Sequence, residues 1–86
     1  MKKVNIKSKN KFGKWLKRYC NKHKIDVTSL SRRLGIDRRY VTHWIQGTSH
    51  PRTVNTIFLI EALSQITEEE PEKIYLALRE HIMADY

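Results

Sequence analysis

The sequence predicts an all-α fold, a single compact domain of five helices in 86 residues, and three observations carry that expectation. Apolar residues recur at the three- and four-residue spacing of helices, and no stretch alternates as a strand would. There is no internal repeat and no low-complexity segment. Most telling is the stretch from Asp26 to Gly47, DVTSLSRRLGIDRRYVTHWIQG, which reads as two short helices joined by a tight turn at Gly35.

The elements follow in chain order. Residues 1–10, MKKVNIKSKN, carry four lysines and no sustained period, so they read as a flexible basic arm ahead of a domain over 11–86. From about Asn10 to Lys24, Phe12, Leu16 and Tyr19 form an inward stripe and Lys14, Lys17, Arg18 and Lys22 an outward one. Trp15 falls off that stripe, either half-buried or part of an interface. In the next helix Val27, Leu30, Ser31 and Leu34 share one side. Asp37 then offers an N-cap for a helix from Arg38 to Gln46, and Gly47 supplies its stop. On this helix Arg38, Arg39, Thr42, His43 and Gln46 lie together, opposite Tyr40, Val41 and Trp44.

Thr48 to Arg52, TSHPR, reads as a loop, since Pro51 pushes His50 toward an extended conformation. Thr53 is positioned to cap a helix over about Val54 to Gln65, whose apolar residues go nearly all the way round and predict a central, buried helix. The last helix begins at Glu68 or at Pro71, because Thr67 to Glu70 fits a capping box while Pro71 favours the first helical position. Its stripe of Ile74, Tyr75, Leu78, Ile82 and Tyr86, with Leu76 and Met83 on the other side, exceeds what one small core accepts. Those five stripe residues, on a helix over about 68–86, are the expected homodimer contact.

Charge divides the chain. Residues 1–52 hold 15 Lys and Arg against two acids, a net +13, whereas residues 53–86 hold two against seven, a net −5. One half suits a polyanion, for which nucleic acid is the obvious choice, and the other is left for protein contacts. The single cysteine, Cys20, cannot form an internal disulfide, which suits a reducing compartment. No apolar run approaches the roughly 20 residues of a membrane span, so the expectation is a soluble, cytoplasmic protein.

The run Leu34-Gly35-Ile36-Asp37-Arg38-Arg39-Tyr40-Val41-Thr42-His43-Trp44, with Gly47 and Pro51 after it, resembles the helix-turn-helix of phage repressors and Cro proteins, the XRE family. The similarity covers about Phe12 to Leu63. It implies a lambda-repressor-like fold and a transcriptional regulator, a small Cro-like repressor. Three positions depart from the family's usual pattern: Val27 stands where Gln commonly anchors a phosphate, Cys20 where many members carry Arg, and Ile45 where they carry Glu.

In that family's docking geometry the N-terminal end of the second motif helix enters the major groove. The resemblance therefore makes Arg38, Arg39, Thr42 and His43 the expected base contacts, with arginine able to bond guanine O6 and N7 in a bidentate way. Thr28, Arg32, Gln46, Thr48, Ser49, His50 and Arg52 are the expected phosphate contacts, which fix register rather than sequence. Trp44 shares a face with Val41 and is expected in the core. The expected partners are double-stranded DNA and a second copy, reading a palindromic site.

An enzyme is not expected. The four histidines lack metal-ligand spacing, Cys20 has no paired base, and there is no Gly-rich phosphate loop, so neither a metal nor a cofactor is anticipated. A protein-binding regulator such as an antitoxin, whose acidic half holds a basic toxin while the helix-turn-helix autoregulates, is the alternative. Single-stranded RNA is disfavoured because no platform of exposed aromatics is evident.

Overall fold

The computed structural model describes residues 4–85, with side chains up to residue 80. Its five helices are α1 (Lys11–Lys22), α2 (Val27–Leu34), α3 (Arg38–Gln46), α4 (Thr53–Thr67) and α5 (Pro71–Asp85), and no strand occurs among the described residues. The fold is all-α.

Local chemistry sets the first three helices. Asn10, Asp26 and Asp37 each hold an extended backbone and accept a hydrogen bond from their helix's first turn, from the N–H of Gly13 (2.7 Å), Ser29 (2.7 Å) and Arg39 (2.9 Å) respectively. Gly35 and Gly47 end α2 and α3 at φ of 72° and 85°, the left-handed region in which a side chain is strained. α4 starts one residue earlier than expected. Thr53 is already helical, Arg52 is the N-cap without a side-chain bond, and the Thr56 hydroxyl turns back to the Arg52 carbonyl at 3.0 Å.

The structure chooses Pro71 as the start of the last helix. Thr67 belongs to α4, its hydroxyl donating to the Leu63 carbonyl at 2.7 Å, so it is not free to cap a new helix. Glu68 reverses the chain at φ 63°, and the Ser64 hydroxyl donates to the Glu69 carbonyl at 2.7 Å across the corner.

The helices pack as a closed circuit, α1 on α3 and α5, α2 on α3 and α4, and α4 on α5. Phe12, Leu16 and Cys20 of α1 meet Leu30, Val41, Ile45, Leu59, Leu63, Ile74 and Leu78 in one wholly buried core. Trp15 is buried too, its ring 6.4 Å from Phe12 and 5.2 Å from Tyr19 between centroids. Burial pushes the Cys20 thiol up to about 12, which keeps it protonated and inert.

Three expectations are corrected. Residues 4–10 are not a free arm: Val4 is buried, its N–H donates to Asn21 Oδ1 (2.7 Å), its carbonyl accepts from Asn21 Nδ2 (3.0 Å), and Ile6 packs beside it. Two apolar residues two apart on an extended segment present one face to the core, and one amide side chain replaces a strand partner. Residues 1–3 of the expected arm lie outside the described residues. α4 is not buried all round, because α2 and α5 cover only part of it and leave Val54, Ile57 and Phe58 exposed. Ile74 and Leu78, expected at a dimer contact, are each 1% exposed and belong to the monomer core.

Gly13 marks a close approach of α1 to α3. A Cβ there would collide with the Ile45 carbonyl oxygen of α3. Gly13→Ala is therefore expected to destabilise the fold by about 1–3 kcal/mol, although alanine is the better helix former. Urea denaturation checks this; an unchanged or raised midpoint would mean that α1 and α3 do not pack this closely.

Candidate nucleic-acid interface

α3 divides into two faces because Val41, Trp44 and Ile45, at i, i+3 and i+4, are buried against the core. That fixes its rotation. Arg38, Arg39 and His43 are left exposed and Thr42 partly so, which brings the four expected base contacts onto one outward surface. Tyr40 joins them. The sequence reading places it on the packing face, yet it is 58% exposed. It sits in the first turn of a short helix, at the border of the two faces, where no neighbouring helix covers it.

Asp37 organises the start of this surface. Its carboxylate accepts from the Arg39 backbone N–H and also faces the Arg39 guanidinium, with Nε 3.3 Å from Oδ1 and Nη2 3.4 Å from Oδ2. The backbone hydrogen bond, chiefly, and then the Arg39 side chain hold its carboxyl below the usual carboxylate range. Arg39 is thus folded back toward its own N-cap, whereas no ion pair among the described residues involves Arg38.

The other end of α3 is tied to the following loop. His43 Nδ1 lies 3.0 Å from Thr48 Oγ1, and that hydroxyl also reaches the His43 carbonyl at 3.3 Å. Gln46 is partly exposed, and its carbonyl accepts from the Lys9 N–H at 2.9 Å. Thr48, Ser49 and Arg52 are exposed. His50 is not: its ring packs 6.0 Å from Phe12 and its Nε2 lies 3.3 Å from Asn10 Nδ2, so it braces the loop from inside. On α2, Thr28 and Arg32 lie one turn apart and exposed, while Val27 is half-buried against the core.

A second surface lies on α4 and α5. Val54, Ile57, Phe58, Tyr75 and Leu76 are all about half exposed, with Phe58 at 51%. Ile57 and Tyr75 share an open groove of about 320 Å³ with Ile60, Glu61, Pro71 and Glu72. Of the residues expected at a dimer contact, Tyr75 alone is found on this surface; the side chains of Ile82 and Tyr86 lie outside the described residues. Among the described residues no group of three or more His, Cys, Asp or Glu is arranged to hold a metal ion, and no helix is long and apolar enough to cross a membrane.

Comparison with protein-family models, curated proteins and solved structures finds no match to this chain.

The Asp37 cap gives a pH-dependent prediction. Asp37→Ala should lower the thermal midpoint at neutral pH and Asp37→Asn should restore most of the loss, since the amide oxygen can still accept from the Arg39 N–H. A carboxyl depressed in the folded state stabilises above its unfolded value and loses that contribution as pH falls through the folded one. The gap between wild type and the alanine variant should accordingly narrow, toward that of the asparagine variant, below the ordinary carboxylate range. A gap that stays constant into acid would refute the contribution of the carboxylate's charge to the cap.

Proposed function

We propose that this chain is a sequence-specific double-stranded-DNA-binding transcriptional regulator, a small dimeric Cro-like repressor in which α2 and α3 form a lambda-repressor-like helix-turn-helix. The observation that carries the reading is the outward surface of α3, with Arg38, Arg39, Thr42 and His43 exposed opposite a buried apolar face. It lies in the half of the chain whose net charge is +13.

α3 enters the major groove with its N-terminal end foremost, so Arg38 and Arg39 meet base edges first and Thr42 and His43 follow one turn later. A bidentate arginine–guanine pair discriminates by roughly 1–3 kcal/mol. The exposed Arg39–Asp37 pair is of the weak surface kind and is exchanged for that contact on binding. Thr28 and Arg32 on α2, and Gln46, Thr48, Ser49 and Arg52 after the reading surface, contact flanking phosphates. Thr28 takes the place of the glutamine that Val27 replaces.

A second copy docks on the exposed apolar surface of α4 and α5, centred on Ile57 and Phe58 rather than on Ile74 and Leu78. This half is net −5, so the contact keeps the two +13 halves apart. To read a palindrome, the twofold there would have to hold the two α3 helices about 34 Å apart, one turn of DNA. The same surface, apolar and flanked by Glu61 and Glu72, would equally suit a basic protein partner of an antitoxin-type regulator.

Selection from random duplex DNA should enrich a palindrome, and the readout proposal fails if no sequence is enriched. Arg38→Ala and Arg39→Ala should relax preference at particular base pairs, whereas Arg52→Ala should weaken all sequences alike. Identical uniform losses for all three would refute the assignment. Phe58→Glu should convert the dimer to a monomer in sedimentation while retaining the fold; an unchanged dimer places the contact elsewhere, and a wild-type monomer that co-purifies with a basic protein favours the antitoxin reading.

A further inference from the structure

Beside the C-terminal end of α3 lies a groove that the reading surface does not use. It is about 360 Å³ and is lined by Lys7, Ser8, Lys14, Lys17 and Arg18. Lys14, Lys17 and Arg18 stand at i, i+3 and i+4 on α1, and Lys7 faces them from the segment that Val4 and Lys9 hold in place. No acid lines it, and neither ion pair among the described residues involves these four cations. Four like charges around one opening repel one another and attract an anion strongly. Ser8 adds a second, independent sign. Its hydroxyl is closed off from solvent and has no hydrogen-bond partner, an uncommon state for a group that can both donate and accept.

We infer that this groove binds a backbone phosphate of duplex DNA, beyond those contacted from α2 and the loop after α3. The inference rests on the proposed reading of α3. Nine residues at 1.5 Å rise make α3 about 13 Å long, close to the roughly 12 Å width of the major groove, so its far end reaches the rim where phosphates run. Lys9, one residue beyond Ser8, is bonded to Gln46 at that end. The lysine ammonium groups and the Arg18 fork neutralise the phosphate, and the Ser8 hydroxyl, closed off in the free chain, turns about χ1 into the groove and donates to one of its oxygens. A lipid headgroup fits less well, because no apolar side chain lines the groove to enter a membrane.

The test uses the full chain and its selected duplex over a salt series, comparing Lys14→Gln/Lys17→Gln with a charge-matched control, Lys22→Gln/Lys73→Gln, whose lysines are exposed outside the groove. The groove variant should lower the slope of log affinity against log salt by about 0.9, the one phosphate contact it loses, and the control should leave it unchanged. Equal slope changes in both, or none in either, overturn the proposal. Inorganic phosphate and phosphatidylserine–phosphatidylcholine vesicles are titrated in parallel. If either depends on Lys14 and Lys17 while duplex binding does not, the site belongs to that ligand and the proposal falls. In the unmutated chain the Ser8 and Lys14 amide resonances should shift on adding duplex, and unmoved resonances refute the contact whatever the variants do. Loss of base preference with the slope difference intact would instead remove the readout proposal and leave this one standing.

Discussion

The junction around Asn10 governs how the exposed face of α3 is presented. One side chain caps α1 through the Gly13 N–H and sets its amide nitrogen 3.3 Å from His50 Nε2. Its Cγ and backbone N lie against Gly47, close enough that a Cβ on Gly47 would come within 2.9 Å of the side chain. Gly13 is required by space, since α1 crosses the last turn of α3 there, and Gly47 by both space and its left-handed φ. Next door the Lys9 N–H satisfies the Gln46 carbonyl, one of the four that a helix end leaves without a partner. A short stretch of chain therefore joins the N-terminal segment, α1, α3 and the loop to Pro51. The C-terminal end of α3 is clamped, and its N-terminal end is free to project.

The departures from the resembled motif make physical sense in this packing. Cys20 and Ile45 are both fully buried, so an arginine or a glutamate at either position would carry a charge into the core. A buried ion pair gains little over apolar side chains of similar volume, and losing one member of such a pair is strongly destabilising. Val27 differs, because it is half-buried against the core beside the exposed Thr28.

What could be read from the sequence depended on how local its cause was. The bounds of α3 rest on Asp37 and Gly47, a cap and a left-handed stop encoded within a few residues, and these were legible. So were the outward positions of Arg38, Arg39 and His43, which follow from the burial of Val41 and Trp44. The packed course of residues 4–10 was not, because it depends on the Asn21 amide 17 positions away from Val4. Periodicity also misjudged α4, since it records where apolar side chains lie and not whether another helix covers them. Ile57 and Phe58 look like core by composition, and only the placement of α2 and α5 exposes them. Ile74 and Leu78 failed in the opposite direction: α5 packs on both α1 and α4, so the monomer covers them itself.

That double packing of α5 connects the two surfaces. The Tyr19 hydroxyl of α1 lies 3.0 Å from Thr67 Oγ1 and donates to Glu69 Oε1 at 3.3 Å, which fastens the corner between α4 and α5 to the first helix. Burial, chiefly, raises the Tyr19 pKa, so it stays a neutral donor near neutral pH. His23 Nε2 sits 3.0 Å from the same carboxylate, though poorly aligned for a hydrogen bond, with its ring 4.5 Å from that of Tyr19. The acidic and basic halves of the chain thus share one core rather than forming separate units. An assembly through Ile57 and Phe58 would then hold two α3 helices at a spacing set by packed helices, with no flexible linker to adjust it. Such a dimer would select among DNA sites by half-site spacing as well as by base contacts, because a site of the wrong spacing could be met only by distorting the core or the duplex.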